Sequence, residues 1–138
     1  MILGIGTDIV QVSRFQRWTT YSQEQLTRIY TPEELATCRD EQGTYNIEKL
    51  ATRFAAKEAF FKALSSALVT LGKTQTKFSL LAIAPAVSVQ MGTWNVPKFS
   101  INLEMLEKII SVNLSDIAVD LSISHEKSHA IAFVIIWK

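Results

Sequence analysis

The segment 47–68 constrains the fold most. It holds no glycine or proline, and Leu50, Phe54, Phe61 and Leu68 recur along it at helical spacing. A helix of that length has an apolar stripe that needs a partner surface, and the strand-like segments on either side of it can supply a sheet. One acid, Glu58, falls inside the arc set by Phe54 and Phe61, on the side turned toward that sheet. An ionised carboxylate there is costly unless it is paired or binds a metal. From spacing alone, a salt bridge to Lys62, four residues on, answers that cost equally well.

A second acid has similar surroundings. Residues 2–10 alternate as a strand, with Ile2, Gly4, Gly6 and Asp8 on one face and Leu3, Ile5, Thr7 and Ile9 on the other. Glycines on the face of Asp8 allow a ligand or another backbone to approach closely. Taken alone, Asp8 also suits a turn or cap at a strand end.

The rest of the chain fills in an α+β architecture, a long central helix packed on a largely antiparallel sheet. A short helix is expected from Ser13, with Ser13 as its cap. Thr31-Pro32-Glu33-Glu34 marks a helix start, with a capping Thr, Pro in the first turn and acids next, and that helix ends before Gly43. After Gly72, strands are expected at 78–83, 87–91 and 98–103, punctuated by Pro85, Gly92 and Pro97. A helix over 103–112 follows. Residues 117–124 and 129–137 then form a hairpin that turns at Glu126-Lys127-Ser128. No repeat or linker divides the chain, so its 138 residues make a single domain, 1–138.

Composition narrows the function classes. At 48% hydrophobic residues, the chain buries a core without a disulfide or metal staple. The lone Cys38 cannot form an internal disulfide and no secretory signal is visible, which fits the reducing cytoplasm. No uncharged run is long enough to span a membrane. Net charge is +1, and Arg14, Arg17 and Arg28, opposed only by Glu24, make a modest basic patch. Nucleic acid is not expected as a partner, because such a patch lacks the dense basic footprint it requires.

Three motifs, in order and spacing, resemble the holo-acyl-carrier-protein synthase family of 4′-phosphopantetheinyl transferases. They are Gly4-Ile5-Gly6-Thr7-Asp8-Ile9, the stretch Arg53-Phe54-Ala55-Ala56-Lys57-Glu58-Ala59-Phe60-Phe61-Lys62-Ala63, and Ser122-Ile123-Ser124-His125 followed by Ala130-Ile131-Ala132. The second is highly specific; the third alone is weak. The resemblance implies a fold of the transferase type and a reaction in which a serine of apo acyl carrier protein attacks the β-phosphate of coenzyme A, releasing 3′,5′-ADP. It further implies Mg²⁺ held by Asp8 and Glu58, with Lys62 beside the pyrophosphate. Arg53 and Lys57 become phosphate contacts, and Ser124 and His125 contacts to the nucleotide end of coenzyme A. Arg14 and Arg17 become the dock for the acidic helix of the carrier protein. The family usually forms a homotrimer with active sites between subunits. A non-catalytic nucleotide- or protein-binding module on the same fold is the alternative.

The chain also departs from the family pattern. Ser65-Ser66-Ala67-Leu68 replaces a glycine-containing turn, which either lengthens the helix or reshapes the loop near the cofactor. A Gly-Lys-Pro turn is half present, as Asn95-Val96-Pro97-Lys98. Glu126 follows the motif histidine where relatives often have threonine. It is expected to point outward, since an unpaired acid beside phosphate is electrostatically costly. His129 is expected to be structural.

Overall fold

The computed structural model describes residues 1–138. Strand β1 (Ile2–Gln11) leads into a 3-10 segment (Val12–Thr20), then helices α1 (Gln23–Leu26) and α2 (Pro32–Cys38) and the long α3 (Ile47–Thr70). A short α4 (Leu80–Ile83), the hairpin of β2 (Val87–Met91) and β3 (Pro97–Ile101), α5 (Leu103–Ile110) and the hairpin of β4 (Ala118–His125) and β5 (His129–Trp137) complete the chain. β5 lies between β1 and β4 in an antiparallel three-stranded sheet, and β2–β3 form a separate sheet. The α+β class is thus as the sequence implies, with the antiparallel structure divided between two sheets.

Small residues set the central packing. Gly4, Gly6 and Asp8 of β1 face α3, beside Ala130, Ala132, Val134 and Ile136 of β5. α3 answers with buried Ala55, Ala59, Ala63 and Ala67. A Cβ at Gly4 would lie 2.1 Å from the Ala63 carbonyl oxygen, and one at Gly6 would lie 1.9 Å from that of Ala59. The glycines therefore admit the backbone of the helix, not a ligand. A register shift between Ile2 and Gly4 also turns Leu3 inward and leaves Ile2 exposed, contrary to strict alternation.

Caps fix the helix starts. Thr31 and Glu34 form a reciprocal capping box on α2. Asn46 accepts from the Lys49 amide to start α3. The helix runs unbroken through Ser65 and Ser66 to Thr70, and Gly72 turns the chain at φ 70°. Ser65-Ser66-Ala67-Leu68 thus belongs to the helix and is not a loop.

Two local expectations fail. Residues 78–83 are not a strand. The Ser79 hydroxyl caps the amide of Ala82, and the segment coils as α4 into the Ala84–Ala86 turn. Ser13 caps nothing; the 3-10 segment starts at Val12 and has no side-chain cap.

Candidate functional site

The sheet and α3 bring three of the expected residues together. Asp8 projects from β1 toward one flank of α3. There Lys62 donates to Asp8 Oδ1 at 3.0 Å and to the Thr7 carbonyl oxygen at 2.9 Å. The ion pair is therefore from strand to helix, and not the Glu58–Lys62 pair that helical spacing permits. Glu58, one turn earlier, is half-buried and accepts no hydrogen bond. Its carboxyl pKa lies above the usual range, first because burial disfavours the charge and next because Asp8 repels it; Lys62 and Arg14 pull it back.

That shift has a testable sign. The folded protein holds the Glu58 proton to higher pH than the unfolded chain does. Stability therefore falls as pH rises from the unfolded pKa to the raised folded one. Asp8→Asn removes the repulsion and is expected to lower the Glu58 midpoint without restoring it, because burial remains. A carboxyl-carbon NMR titration of both proteins reads this directly. An unchanged midpoint would mean that the two acids do not interact.

Arg14 stands near this cluster. Its guanidinium lies 5.2 Å above the Phe54 ring and 5.8 Å above that of Phe15. Phe54 is one turn ahead of Glu58, so the cation is held toward the acid pair. Arg17 is exposed on the same 3-10 segment.

Arg53 and His125 lie elsewhere. They line a cleft of about 780 Å³ with Asn46, Lys49, Met91 and Asn95, between the start of α3 and the β2–β3 hairpin. Arg53 is buried, donates to the Lys49 carbonyl and the Thr37 hydroxyl, and keeps Nε without a partner. His125 Nδ1 sits 4.0 Å from Glu48. Arg53 and Glu58 are five residues apart, roughly 140° around the helix. Asp8 is on one edge strand and His125 on the other, with β5 between them and α3 packed across one face of the sheet. One chain thus presents two polar clusters on opposite flanks of one helix. Sequence reasoning missed Lys49, although it precedes Arg53 by four residues and shares its flank.

Two expected contacts are placed differently. Ser124 pairs with Ile131 on the outer face of the sheet, where it lines a shallow pocket with His125 and not the cleft that holds Arg53. Lys57 requires a correction. Its side chain is 1% exposed, and its ammonium pairs with Glu34 at 2.5 Å and donates to the carbonyls of Ile29 and Ala84. With all three donors used inside the protein, it is not available to a phosphate. Burial drives its pKa down, and Glu34 opposes that shift. Glu34 also accepts from the amides of Thr31 and Val89, so the pair ties α2, α3, α4's exit and β2 together. Lys57→Met is expected to cost about 3–5 kcal/mol, because it leaves a buried carboxylate unpaired. Lys108→Met, which breaks an exposed pair with Glu104, should cost about 0.5 kcal/mol or less. Urea denaturation separates the two. If Lys57→Met kept full stability and lost only coenzyme A affinity, the phosphate role would stand after all.

The turn residues behave as expected. Glu126 points into solvent and accepts from the Ser128 hydroxyl, with His129 at 3.6 Å; the Ser128 hydrogen bond is the main cause that lowers its pKa.

Known proteins match this chain over nearly its whole length. A family model described as the 4′-phosphopantetheinyl transferase superfamily matches residues 4–134. A holo-[acyl-carrier-protein] synthase of Borrelia hermsii is 34% identical over 137 residues, covering 99% of this chain and 98% of that protein. The crystal structure of the corresponding synthase from Neisseria meningitidis superposes with a TM-score of 0.71 at 31% identity, covering 100% of both chains. A Chronobacterium ammoniagenes complex with coenzyme A gives a TM-score of 0.77 at 27% identity, covering 97% of this chain and 96% of that one. The match runs from Gly4, ahead of Asp8, to Val134 in β5, and so spans both clusters: the chain belongs to the 4′-phosphopantetheinyl transferase superfamily.

Proposed function

We propose that the protein is a holo-acyl-carrier-protein synthase, which transfers 4′-phosphopantetheine from coenzyme A to a serine of apo acyl carrier protein. The observation that carries this reading is the cluster of Asp8, Glu58 and Lys62, two carboxylates and an ammonium on one half-open flank of α3. The serine hydroxyl gives up its proton to solvent as its oxygen forms a bond to the β-phosphorus, and the bond from that phosphorus to the bridging oxygen breaks. 3′,5′-ADP leaves with the electron pair.

The donor set suits Mg²⁺. The protein has no cluster of three or more His, Cys, Asp or Glu side chains of the kind that cages a metal. Magnesium, however, commonly takes one or two carboxylates and fills its other positions with phosphate oxygens and water. The mutual repulsion of Asp8 and Glu58 is what a divalent cation would relieve. Those two acids would hold it, and when bound it would neutralise charge building on the pyrophosphate. Lys62, half-exposed on a flexible stem, can donate to a phosphate oxygen. Arg14 and Arg17 steer an acidic carrier-protein helix toward this flank.

Arg53 and His125 bind the nucleotide end of coenzyme A, His125 toward the 3′-phosphate. The two clusters of a single chain lie on different flanks of α3, so one coenzyme A would have to pass around the helix to touch both. A cyclic homotrimer answers this by setting one copy's acid flank against its neighbour's cleft. The outer face of the three-stranded sheet supports such assembly, because Ile5, Ile9, Ile131 and Phe133 stand exposed together there. The buried, unpaired Cys38, with its pKa pushed up to about 11, suits the cytoplasm.

Mass spectrometry of apo acyl carrier protein after incubation with the protein, coenzyme A and magnesium tests the reading. One phosphopantetheine on one serine, matched by 3′,5′-ADP, is the expected result. No mass gain, or phosphate release without an acceptor, would overturn it.

A further inference from the structure

Lys62 is bonded where a metal ion would bind. Its Nζ sits on Asp8 Oδ1, and the Asp8 side chain is only 15% exposed while that of Lys62 is 49% exposed. The carboxylate thus has limited room for a second cation, and the lysine has ample room to leave. The second anchor of the ammonium is the Thr7 carbonyl, a neutral group that does not prevent departure. Glu58, the other acid, feels the charge of Lys62 but makes no hydrogen bond to it, so the lysine occupies one oxygen of Asp8 and leaves Glu58 open. A magnesium–carboxylate bond is about 2.0–2.1 Å long. A cation on either Asp8 oxygen would lie within roughly 5 Å of the ammonium on Oδ1, and two cations that close repel in a part-buried site.

We infer that Lys62 and the divalent metal take Asp8 in turn: the ammonium is a built-in counter-ion for the acid pair, and metal binding releases it to the phosphate of the incoming substrate. This rests on the metal reading above and adds an exchange to it. The same side chain then balances charge at two stages, on the carboxylate before the metal arrives and on the phosphate afterwards. Arg14, over Phe54, is a second cation near Glu58.

The exchange predicts an effect opposite to that of an ordinary site residue. Removing Lys62 should strengthen metal binding, because a competitor is gone. A purely supporting lysine would weaken metal binding when removed, and one that touches only phosphate would leave it unchanged. The probe is Mn²⁺ alone, titrated against wild type, Lys62→Met and Lys62→Arg, with free Mn²⁺ read by electron paramagnetic resonance. Lys62→Met is expected to lower the Mn²⁺ Kd by about threefold or more, the scale of a part-exposed ion pair. Lys62→Arg should remain near wild type, since it keeps the competing charge. Thermal melting gives a second readout. In chelator, Lys62→Met should melt below wild type, and added Mn²⁺ should raise its Tm by more than it raises that of wild type. Equal or weaker Mn²⁺ binding by folded Lys62→Met would overturn the exchange and leave the metal site standing. Absence of Mn²⁺ binding in all three proteins, with 3′,5′-ADP present as well as without it, would instead overturn the metal site itself.

Discussion

Gly6→Ala is expected to lose about 3 kcal/mol or more of stability and most of the transfer activity. The added Cβ would stand 1.9 Å from the Ala59 carbonyl oxygen and 2.6 Å from the Ala63 amide nitrogen, where ordinary contact begins at 3.4 Å. Both are backbone atoms of α3, so no side chain can rotate aside; strand and helix must separate, and overpacking of this kind is among the costliest substitutions. Asp8 is two residues along the same strand and on the same face. Separation of β1 from α3 therefore also draws Asp8 away from Glu58 and Lys62. Gly92→Ala is the control, since its nearest neighbour would be at 3.3 Å in an open hairpin. Chemical denaturation of both variants, with activity measured on the fraction still folded, checks the claim. A Gly6→Ala protein as stable as Gly92→Ala would mean that α3 does not lie this close to β1.

Glu58→Gln is expected to lower the turnover number by about 10²–10³-fold while the fold survives, the usual scale for removing one group that stabilises transition-state charge. The side chain is half-buried and accepts no hydrogen bond, and the amide has the same shape. Burial even favours the neutral group, as the raised pKa of the acid indicates. The variant should therefore be at least as stable as wild type near neutral pH. Loss of activity together with retained or increased stability identifies a charge kept for function. Steady-state kinetics with saturating carrier protein, beside a melting curve, provides both numbers. Wild-type turnover at limiting magnesium would remove Glu58 from the chemistry.

How far the sequence reveals the molecule depends on whether a residue's partner is local. The Thr31–Glu34 capping box, α3 and the β4–β5 hairpin are legible because caps, helical spacing and turns act over a few residues. The 78–83 segment is not, because six mostly apolar residues suit strand and helix alike, and the Ser79 cap decides between them. Lys57 and Lys62 make the point within one helix. They are the same residue type, five positions apart in one motif, yet one is sealed against Glu34 of α2 and the other reaches Asp8 of β1. Only long-range packing distinguishes a structural lysine from a site lysine. Likewise, Gly4 and Gly6 announce a close approach, but they do not say whether a ligand or a helix makes it.

The central claim is that the Asp8–Glu58–Lys62 flank of one copy and the Arg53–His125 cleft of another form a single transferase site. Complementation tests it most directly. Glu58→Gln disables the first cluster, and Lys49→Glu with His125→Ala disables the second. Each protein alone should convert little apo carrier protein, as read by mass spectrometry. Refolded together in equal amounts, they should recover about a quarter of wild-type activity. In a cyclic assembly, that is the chance that a copy with an intact acid flank meets a neighbour with an intact cleft. A mixture as inactive as its parts, with both variants folded and assembled, would contradict the claim.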